Sequence, residues 1–487
     1  MNIDELVRIH DRSQFEIKLG YLINPDAKKT EYDISLYLFI PKNLGIDENT
    51  YPKDKFYGNM YSYLRLITPK DNLRNITNRV INITEILKKK NSNIDIIFNH
   101  INYEVKISAC AFRSYLRDYT KAFKKGGGAD KSIDSFVEDV AYFRAAVKEM
   151  ASYAEVIDNK KLSELLLFTD EYTSFVVSIY LVRIFDILSK NMDKACEKVS
   201  TILTKEVEYR RLKGMSYVTK DELNNEFLLY KYSVYKKYFY NILFLKLKKK
   251  SGSTELRHFA YAIAAGISMI FATGAAFVAQ YKYGNFTTSF FIALVISYMF
   301  KDRIKDFFRS VFDRTFISKR VYDFKNKIYN IERLKLFGFY KERVVFVKDG
   351  ELPNEVINKR LQNTSSSLST WFLGENVLKY ERKVKLNNNI IKSAFKDRIE
   401  GLNDIMRFDI EDFTRKMDDP KSNLYFVEGC NVKKVDASKV YHINLVGEFK
   451  TFDRHFLFKV RIVMTKKGIK RIEIPLSEDN VIVKKSD

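Results

Sequence analysis

Five histidines stand at His10, His100, His258, His442 and His455. Helical metal sites such as HExxH place two imidazoles at i and i+4, because those positions share one helix face. No two of these five are that close, so the spacing assigns no metal ligand. His442 and His455 fall on or beside alternating apolar runs, where strand pairing would set them across a meander from each other. Cys110, Cys196 and Cys430 lie far apart, which excludes a CxxC metal knuckle and a disulfide framework. A GxSxG nucleophile elbow does not occur. The run Gly126-Gly127-Gly128-Ala129-Asp130-Lys131-Ser132 ends in Lys-Ser like a phosphate loop. It lacks the glycine directly before the lysine, no apolar strand leads into it, and it reads as an interhelix loop.

Asp409, Glu411, Asp412, Asp418 and Asp419 form an acidic cluster without the ligand spacing of a magnesium or calcium loop. They read as a solvated helix face that ends before Pro420. Trp371, the one tryptophan, follows a Ser/Thr-rich run and reads as a packing or interfacial residue. The sequence therefore assigns no catalytic residue, no cofactor and no metal. An enzyme remains only if its site is assembled from residues distant in the chain.

The elements that would position any chemistry begin with length and charge. The 487 residues suggest two to four domains, and 46% hydrophobic content is enough for sizeable cores. Lys and Arg exceed Asp and Glu by 84 to 61, a formal charge of +23. That balance favours an anionic partner, either nucleic acid or an anionic membrane surface. The excess is spread: residues 301–487 carry a net +13 and residues 1–258 a net +9. Nucleic-acid binding would favour a concentrated patch or a known motif, and no zinc finger, RRM or homeodomain pattern is present, so membrane apposition is preferred over nucleic acid. The richness in Lys, Ile, Asn and Tyr fits an AT-rich bacterial genome.

One apolar stretch dominates the middle of the chain. Phe259 to Ala279 runs 21 residues without a charge, which as a helix spans about 30 Å, one hydrocarbon core. Phe286 to Phe300 adds a second uncharged run, extended to a full span if it starts at Tyr283. Tyr281, Tyr283 and Tyr298 sit where interfacial aromatics belong. The reading is a transmembrane helical hairpin over 258–300. In the first helix Ala260, Ala264, Ser268, Ala272 and Ala276 recur every fourth residue, and in the second Ser289, Ala293 and Ser297 do so. Such rows let two backbones approach closely, within the hairpin or between protomers of a homo-oligomer.

Lys246, Lys248, Lys249, Lys250 and Arg257 precede the hairpin, and Lys301, Arg303, Lys305 and Arg309 follow it, while its loop carries only Lys282. The positive-inside bias then sets both long flanks in the cytoplasm, with these cations on anionic headgroups. The N-terminus, MNIDELVRIHDRSQ, contains no apolar run of the signal-peptide kind. Beyond Lys301, the face of Ile304, Phe307, Phe308, Val311 and Phe312 predicts an amphipathic helix, laid in the headgroup boundary or packed on protein.

Elsewhere, Phe15, Ile17, Leu19 and Tyr21, then Tyr32, Ile34, Leu36, Leu38 and Ile40, alternate around Asn24-Pro25-Asp26 and predict an antiparallel hairpin. A further β segment is expected near Ile94–Ile107. Residues 133–150, 160–190, 193–213 and 220–250 show helical spacing, and the uncharged Tyr172–Val182 is bounded closely by charges, as in a buried core helix. Residues 390–418 are predicted helical. Tyr441–Phe449, Phe456–Met464 and Ile472–Ile474 predict a meander.

These readings describe an α+β membrane protein: an N-terminal β-rich unit (1–110), a cytoplasmic helical bundle (111–250), the hairpin (258–300) and a C-terminal cytoplasmic α+β domain (301–487). The expected function is that of a non-enzymatic scaffold or sensor in the bacterial cytoplasmic membrane with both termini cytoplasmic. An oligomeric pore-forming or membrane-perturbing protein, and an enzyme without a sequence motif, are the alternatives.

Overall fold

A computed structural model of the chain describes residues 6–23, 27–89, 94–124, 132–190, 195–252, 254–284, 287–312, 321–330, 335–362, 374–395, 399–451 and 454–474. The expected turn at 24–26, the glycine-rich loop up to Lys131 and Trp371 lie outside these residues. The fold is α+β with antiparallel sheets, and it divides into two compact units. One unit joins Met1–Leu64, Lys246–Ala394 and Leu402–Asp487, and the other joins Arg65–Leu245 with Phe395–Gly401.

The first unit is built on sheets. Strands β1 (Val7–Ile9), β2 (Gln14–Leu22), β3 (Lys29–Pro41) and β4 (Met60–Leu66) come first, with helix α1 (Lys53–Asn59) between β3 and β4. After β5 (Leu245–Ser251) follow two long helices described below, then β6 (Phe324–Asn330), β7 (Leu336–Val347) and β8 (Glu375–Asn387). The chain closes with β9 (Gly401–Asp409), β10 (Lys421–Glu428), β11 (Asn431–Ser438), β12 (Tyr441–Thr451), β13 (His455–Thr465) and β14 (Gly468–Glu473). The four-stranded sheet runs β1-β2-β9-β4, and the eight-stranded sheet runs β14-β13-β12-β3-β8-β7-β6-β5.

The meander β12-β13-β14 forms as its alternation predicts. The hairpin expected from β2 and β3 does not. Each strand pairs elsewhere, β2 with β1 and β9, β3 with β12 and β8, so the two lie in different sheets. The reason is burial. The face of Tyr32, Ile34, Leu36, Leu38 and Ile40 is buried, and so are Tyr37 and Phe39 on the opposite face, as befits a central strand covered on both sides. The Tyr21–Tyr32 ring pair, with centroids 3.8 Å apart, joins the two sheets, and the Phe15–Phe408 pair at 5.2 Å joins neighbouring strands β2 and β9 within the smaller one.

Residues 390–418 are not one helix. A short helix (Asn388–Phe395) is followed by β9 and a single turn at Glu411–Thr414. Leu402, Asp404, Met406 and Phe408 alternate along β9, all buried, and pairing between β2 and β4 outweighs a weak helical spacing. The acidic cluster there pins local structure. Asp409 accepts from the Glu411 backbone at 2.9 Å, and Asp412 accepts from Asn59 at 2.6 Å and pairs with Lys55 at 3.2 Å. His442 and His455 do not face each other: the β12–β13 register sets His442 against Val463 and His455 against Lys450, at opposite ends of the pair.

Between the sheets lies a buried ionic network. Arg382 on β8 donates from Nη1 to Asp404 on β9 at 2.6 Å, from Nη2 to Glu342 on β7 at 3.2 Å, and from Nε to the Tyr380 hydroxyl at 2.8 Å. Asn326 on β6 donates to the other Glu342 oxygen at 2.8 Å. The Arg382 and Asp404 side chains are fully buried, so each satisfies a charge that water cannot reach.

The second unit is helical: α2 (Leu73–Lys88), α3 (Ile94–Lys124), α4 (Ile133–Ser152), α5 (Lys160–Lys190), α6 (Ala195–Leu212) and α7 (Glu222–Tyr240). The β segment expected near Ile94–Ile107 is the first half of α3, where Ile101, Val105, Ala109 and Phe112 are buried at helical spacing. Ser132 caps α4, accepting from the Ser135 backbone at 3.3 Å. The helix expected through residue 250 ends at Tyr240, and β5 takes its place. Tyr172, Val176, Val177 and Leu181 of α5 are fully buried, so this apolar helix is a core element.

Arg144 on α4 pairs with Asp170 on α5 at 2.9 Å and Glu206 on α6 at 3.2 Å, all buried. Ser174 donates to Glu206 at 2.7 Å, and Lys148 pairs with it at 2.8 Å. Burial alone would raise the Glu206 carboxyl, but Arg144, Lys148 and Ser174 hold it down at about 2.

Two outcomes follow from these networks. Asp404→Asn should leave Arg382 under-compensated and cost about 3–5 kcal/mol, read as a fall in the denaturant midpoint. Because the Glu206 carboxyl is depressed from its ordinary 4.5, the stability it contributes is present above that pH and is lost as pH falls toward 2. Glu206→Gln should be less stable at neutral pH and should flatten the acid limb of a thermal-midpoint profile. A variant whose acid limb matches the parent would contradict this.

Candidate functional site

The chain leaves the large sheet at β5, forms α8 (Thr254–Tyr283) and α9 (Thr288–Phe312), and returns at β6. Because β5 and β6 are hydrogen-bonded neighbours at the sheet edge, both ends of the helical hairpin emerge from the same place. The neck is tightly made. Gly252 donates its backbone N–H to the Asp323 carbonyl at 2.9 Å, and a Cβ at Gly252 would lie 2.3 Å from the Tyr322 carbonyl oxygen, so no larger residue fits. The Asp323 carboxylate accepts from the Val344 backbone at 2.8 Å and the Tyr57 hydroxyl at 2.9 Å, and pairs with Lys53 at 2.7 Å.

At the far end, Gly284 ends α8 with a left-handed φ of 75° and donates to the Gln280 carbonyl. Thr287 caps α9, its hydroxyl accepting from the Phe290 backbone at 3.2 Å. Local chemistry at both helix ends thus sets the turn.

The helices meet along small residues. Ala260, Ala264 and Ser268 of α8 are buried, with Ala272 and Ala276 half-buried, and on α9 Ser297 is buried and Ala293 half-buried. Ser297 donates its hydroxyl across the pair to the Ala272 carbonyl at 3.2 Å, which a larger side chain would prevent. Ser289 is exposed and takes no part in the buried row. The large side chains point outward: Phe259, Ile270, Phe277, Val278, Phe291, Met299 and Phe300 are all more than half exposed. Only 17% of the apolar stretch of α8 is buried, against 56% for the less apolar α5. That difference separates a helix that packs into a protein core from one whose apolar surface the chain leaves largely uncovered.

The basic residues divide into two groups. Lys248, Lys249 and Lys250 lie exposed on edge strand β5, where Lys249 sits 3.5 Å over the Phe324 ring. Lysines on such an edge oppose strand addition by another chain. Lys301, Arg303, Lys305 and Arg309 lie on α9. The amphipathic segment expected after the second apolar run is the continuation of α9, not a separate helix. Arg309 stacks 5.1 Å from the Tyr261 ring of α8, so the basic half of α9 runs beside the first turns of α8. Lys305 and Arg309 also pair with Asp302 and Asp306 at 3.0 and 3.7 Å.

These cross-helix contacts set an antiparallel register in which Lys301 stands level with about Ser268. From that level to Ala279 the hairpin is apolar on both helices for roughly 17 Å, shorter than a hydrocarbon core of about 30 Å. The α8 residues Phe259–Ile267 continue the apolar surface alone for about 14 Å more. Hydrophobic run length revealed the hairpin in sequence, but this mismatch in height, the neck at Asp323 and the Arg382 network carried no local signal. The exposed ribbon β10–β11 had one, a Gly429-Cys430 turn between apolar runs.

Replacing Ser268 and Ala272 together by leucine should force α8 and α9 apart while preserving apolar character. Thiol crosslinking between cysteines introduced at Ala276 and Ala293 should fall several-fold in the leucine background, and unchanged crosslinking would show that the small residues do not set the spacing. Comparison with protein families, curated proteins and solved structures finds no match for this chain.

Proposed function

We propose that this chain is an integral membrane protein, a non-enzymatic scaffold or sensor of the bacterial cytoplasmic membrane, held by the α8–α9 hairpin with its other parts in the cytoplasm. The observation that carries the reading is the outward apolar surface of the hairpin. Side chains such as Ile270, Phe277, Val278 and Met299 are exposed along both helices, and a contiguous apolar surface of this kind marks an interaction with protein or membrane. Lipid is the medium that such a surface fits, because a helix satisfies its interior backbone groups within itself.

Topology follows from the same elements. Two crossings return the chain to the side it left, in keeping with the β5–β6 pairing at the neck. Basic flanks and a loop with one lysine favour the cytoplasm for that side. Arg303, Lys305 and Arg309 reach anionic headgroups by extending past the short apolar section, while the aliphatic stems stay among the acyl chains. The small-residue row is occupied within one hairpin, which favours an anchor over a pore built by packing protomers through that row.

The scaffold reading draws on β10 and β11. This two-stranded ribbon pairs only with itself among the named strands, and Leu424, Tyr425, Phe426, Val427, Val432 and Val435 are all exposed on it. A lone two-stranded ribbon is marginal in water, so a protein partner that covers it would stabilise it.

The topology has a direct test. In intact cells an impermeant thiol reagent should label a Thr288→Cys variant and should leave the exposed native Cys430 unmodified until the membrane is permeabilised. Labelling of Cys430 but not of Thr288→Cys in intact cells would invert the orientation. Recovery of the protein in the soluble fraction without detergent would overturn the anchor itself.

A further inference from the structure

Helix α10 (Asn354–Leu361) lies on the outer face of the large sheet, against β12 and β13. Val356 packs there with Val446, Leu457, Tyr37, Phe39 and Val377. Its C-terminal end is held by Lys459 on β13, whose buried ammonium donates to the Arg360 carbonyl at 2.7 Å and the Gln362 carbonyl at 2.5 Å. With one end tied to Lys459 in the middle of β13, the first turn of α10 brings Glu355 toward the β12–β13 turn, beside Glu448 and His455.

We propose that Glu355, Glu448 and His455 form a binding site for a divalent transition-metal ion of the zinc class. Their nearest donor atoms, two carboxylate oxygens and one imidazole nitrogen, all lie within 4.8 Å of one another. His455 Nε2 already stands 3.0 Å from Glu448 Oε1, and Glu448 is largely buried, so two of the three donors are fixed by adjacent strands. Glu355 is exposed and free to close the remaining distance to the 2.0–2.2 Å of a zinc–oxygen bond. The β12–β13 register puts Lys450 directly opposite His455, and its ammonium lies 2.6 Å from the same Glu448 oxygen. A positive charge therefore already pairs with the Glu448 oxygen that faces His455. That lysine is half exposed and is displaced by swinging into solvent.

The donor set selects the ion. An imidazole with two carboxylates suits Zn²⁺, and more weakly Mn²⁺ or Fe²⁺, whereas Mg²⁺ and Ca²⁺ take oxygen ligands. Three protein donors leave a fourth position for water, as in open zinc sites. Spacing along the sequence could not show this. The ligands come from a helix and two strands, and Glu355 and Glu448 stand 93 positions apart.

The test uses the full chain in detergent micelles, stripped with EDTA, and titrated calorimetrically with zinc chloride. One zinc per chain should bind, without competition from millimolar magnesium. His455→Ala should weaken binding about 100-fold, and Glu355→Gln, an exposed change that leaves the sheet intact, about 10-fold. Lys450→Met removes the competing ammonium and should tighten binding several-fold, a gain that a misfolded variant would not produce. Absence of stoichiometric zinc, or an affinity unchanged within twofold in all three variants, would overturn the proposal and assign any bound zinc to scattered surface groups.

Discussion

Pairing of β5 with β6 is the constraint on which the arrangement of this unit turns. Two strands separated by the whole helical hairpin lie side by side at the edge of one sheet. Asp323 makes that pairing specific, because its carboxylate takes a backbone N–H, a hydroxyl and an ammonium while its carbonyl receives Gly252. A carboxylate that accepts several hydrogen bonds in a half-buried place has few alternative positions. The hairpin is thereby projected from a rigid base, with its two ends together. The same construction lets a 59-residue pair of helices be inserted without disturbing the sheet order, since the ends of the insertion are already neighbours.

Each compact unit also holds a charged group that water cannot reach. Arg382 ties the two sheets through Asp404 and Glu342, and Arg144 ties three helices through Asp170 and Glu206. Such networks contribute little net stability over apolar packing, but they are costly to break on one side. Their effect is on uniqueness: an arginine with carboxylates on separate elements is satisfied in one packing of those elements and in few others. Lys459 acts similarly on a smaller scale, fixing where α10 ends and so where Glu355 lies.

Readings that succeeded from sequence rested on local periodicity. The apolar hairpin, the buried α5 and the β12-β13-β14 meander all follow from run length or alternation within about 30 residues. Where the readings failed, a non-local partner had won. Leu402, Met406 and Phe408 permit either a helix or a strand, and burial between β2 and β4 decides for the strand. The alternating runs of β2 and β3 predict strands correctly, yet neither pairs across the short turn: β3 pairs with β8 and β12 hundreds of residues away, and β2 lies between nearby β1 and distant β9. The Lys-rich segment after Tyr240 reads as helix end by composition but alternates Leu245, Leu247 inward with lysines outward, as an edge strand does.

By itself, the sequence determined that this chain carries a helical hairpin of two uncharged apolar runs bracketed by cations, a helical region and alternating strands, because hydrophobic period and run length are properties of neighbouring residues. Tertiary structure alone decided that β3 from the N-terminal part lies between β12 and β8, that Lys301 stands level with Ser268, and that Glu355, Glu448 and His455 converge. Those outcomes depend on which distant surfaces bury each other best. That comparison is made among all segments of the folded chain at once, and no window of sequence contains it.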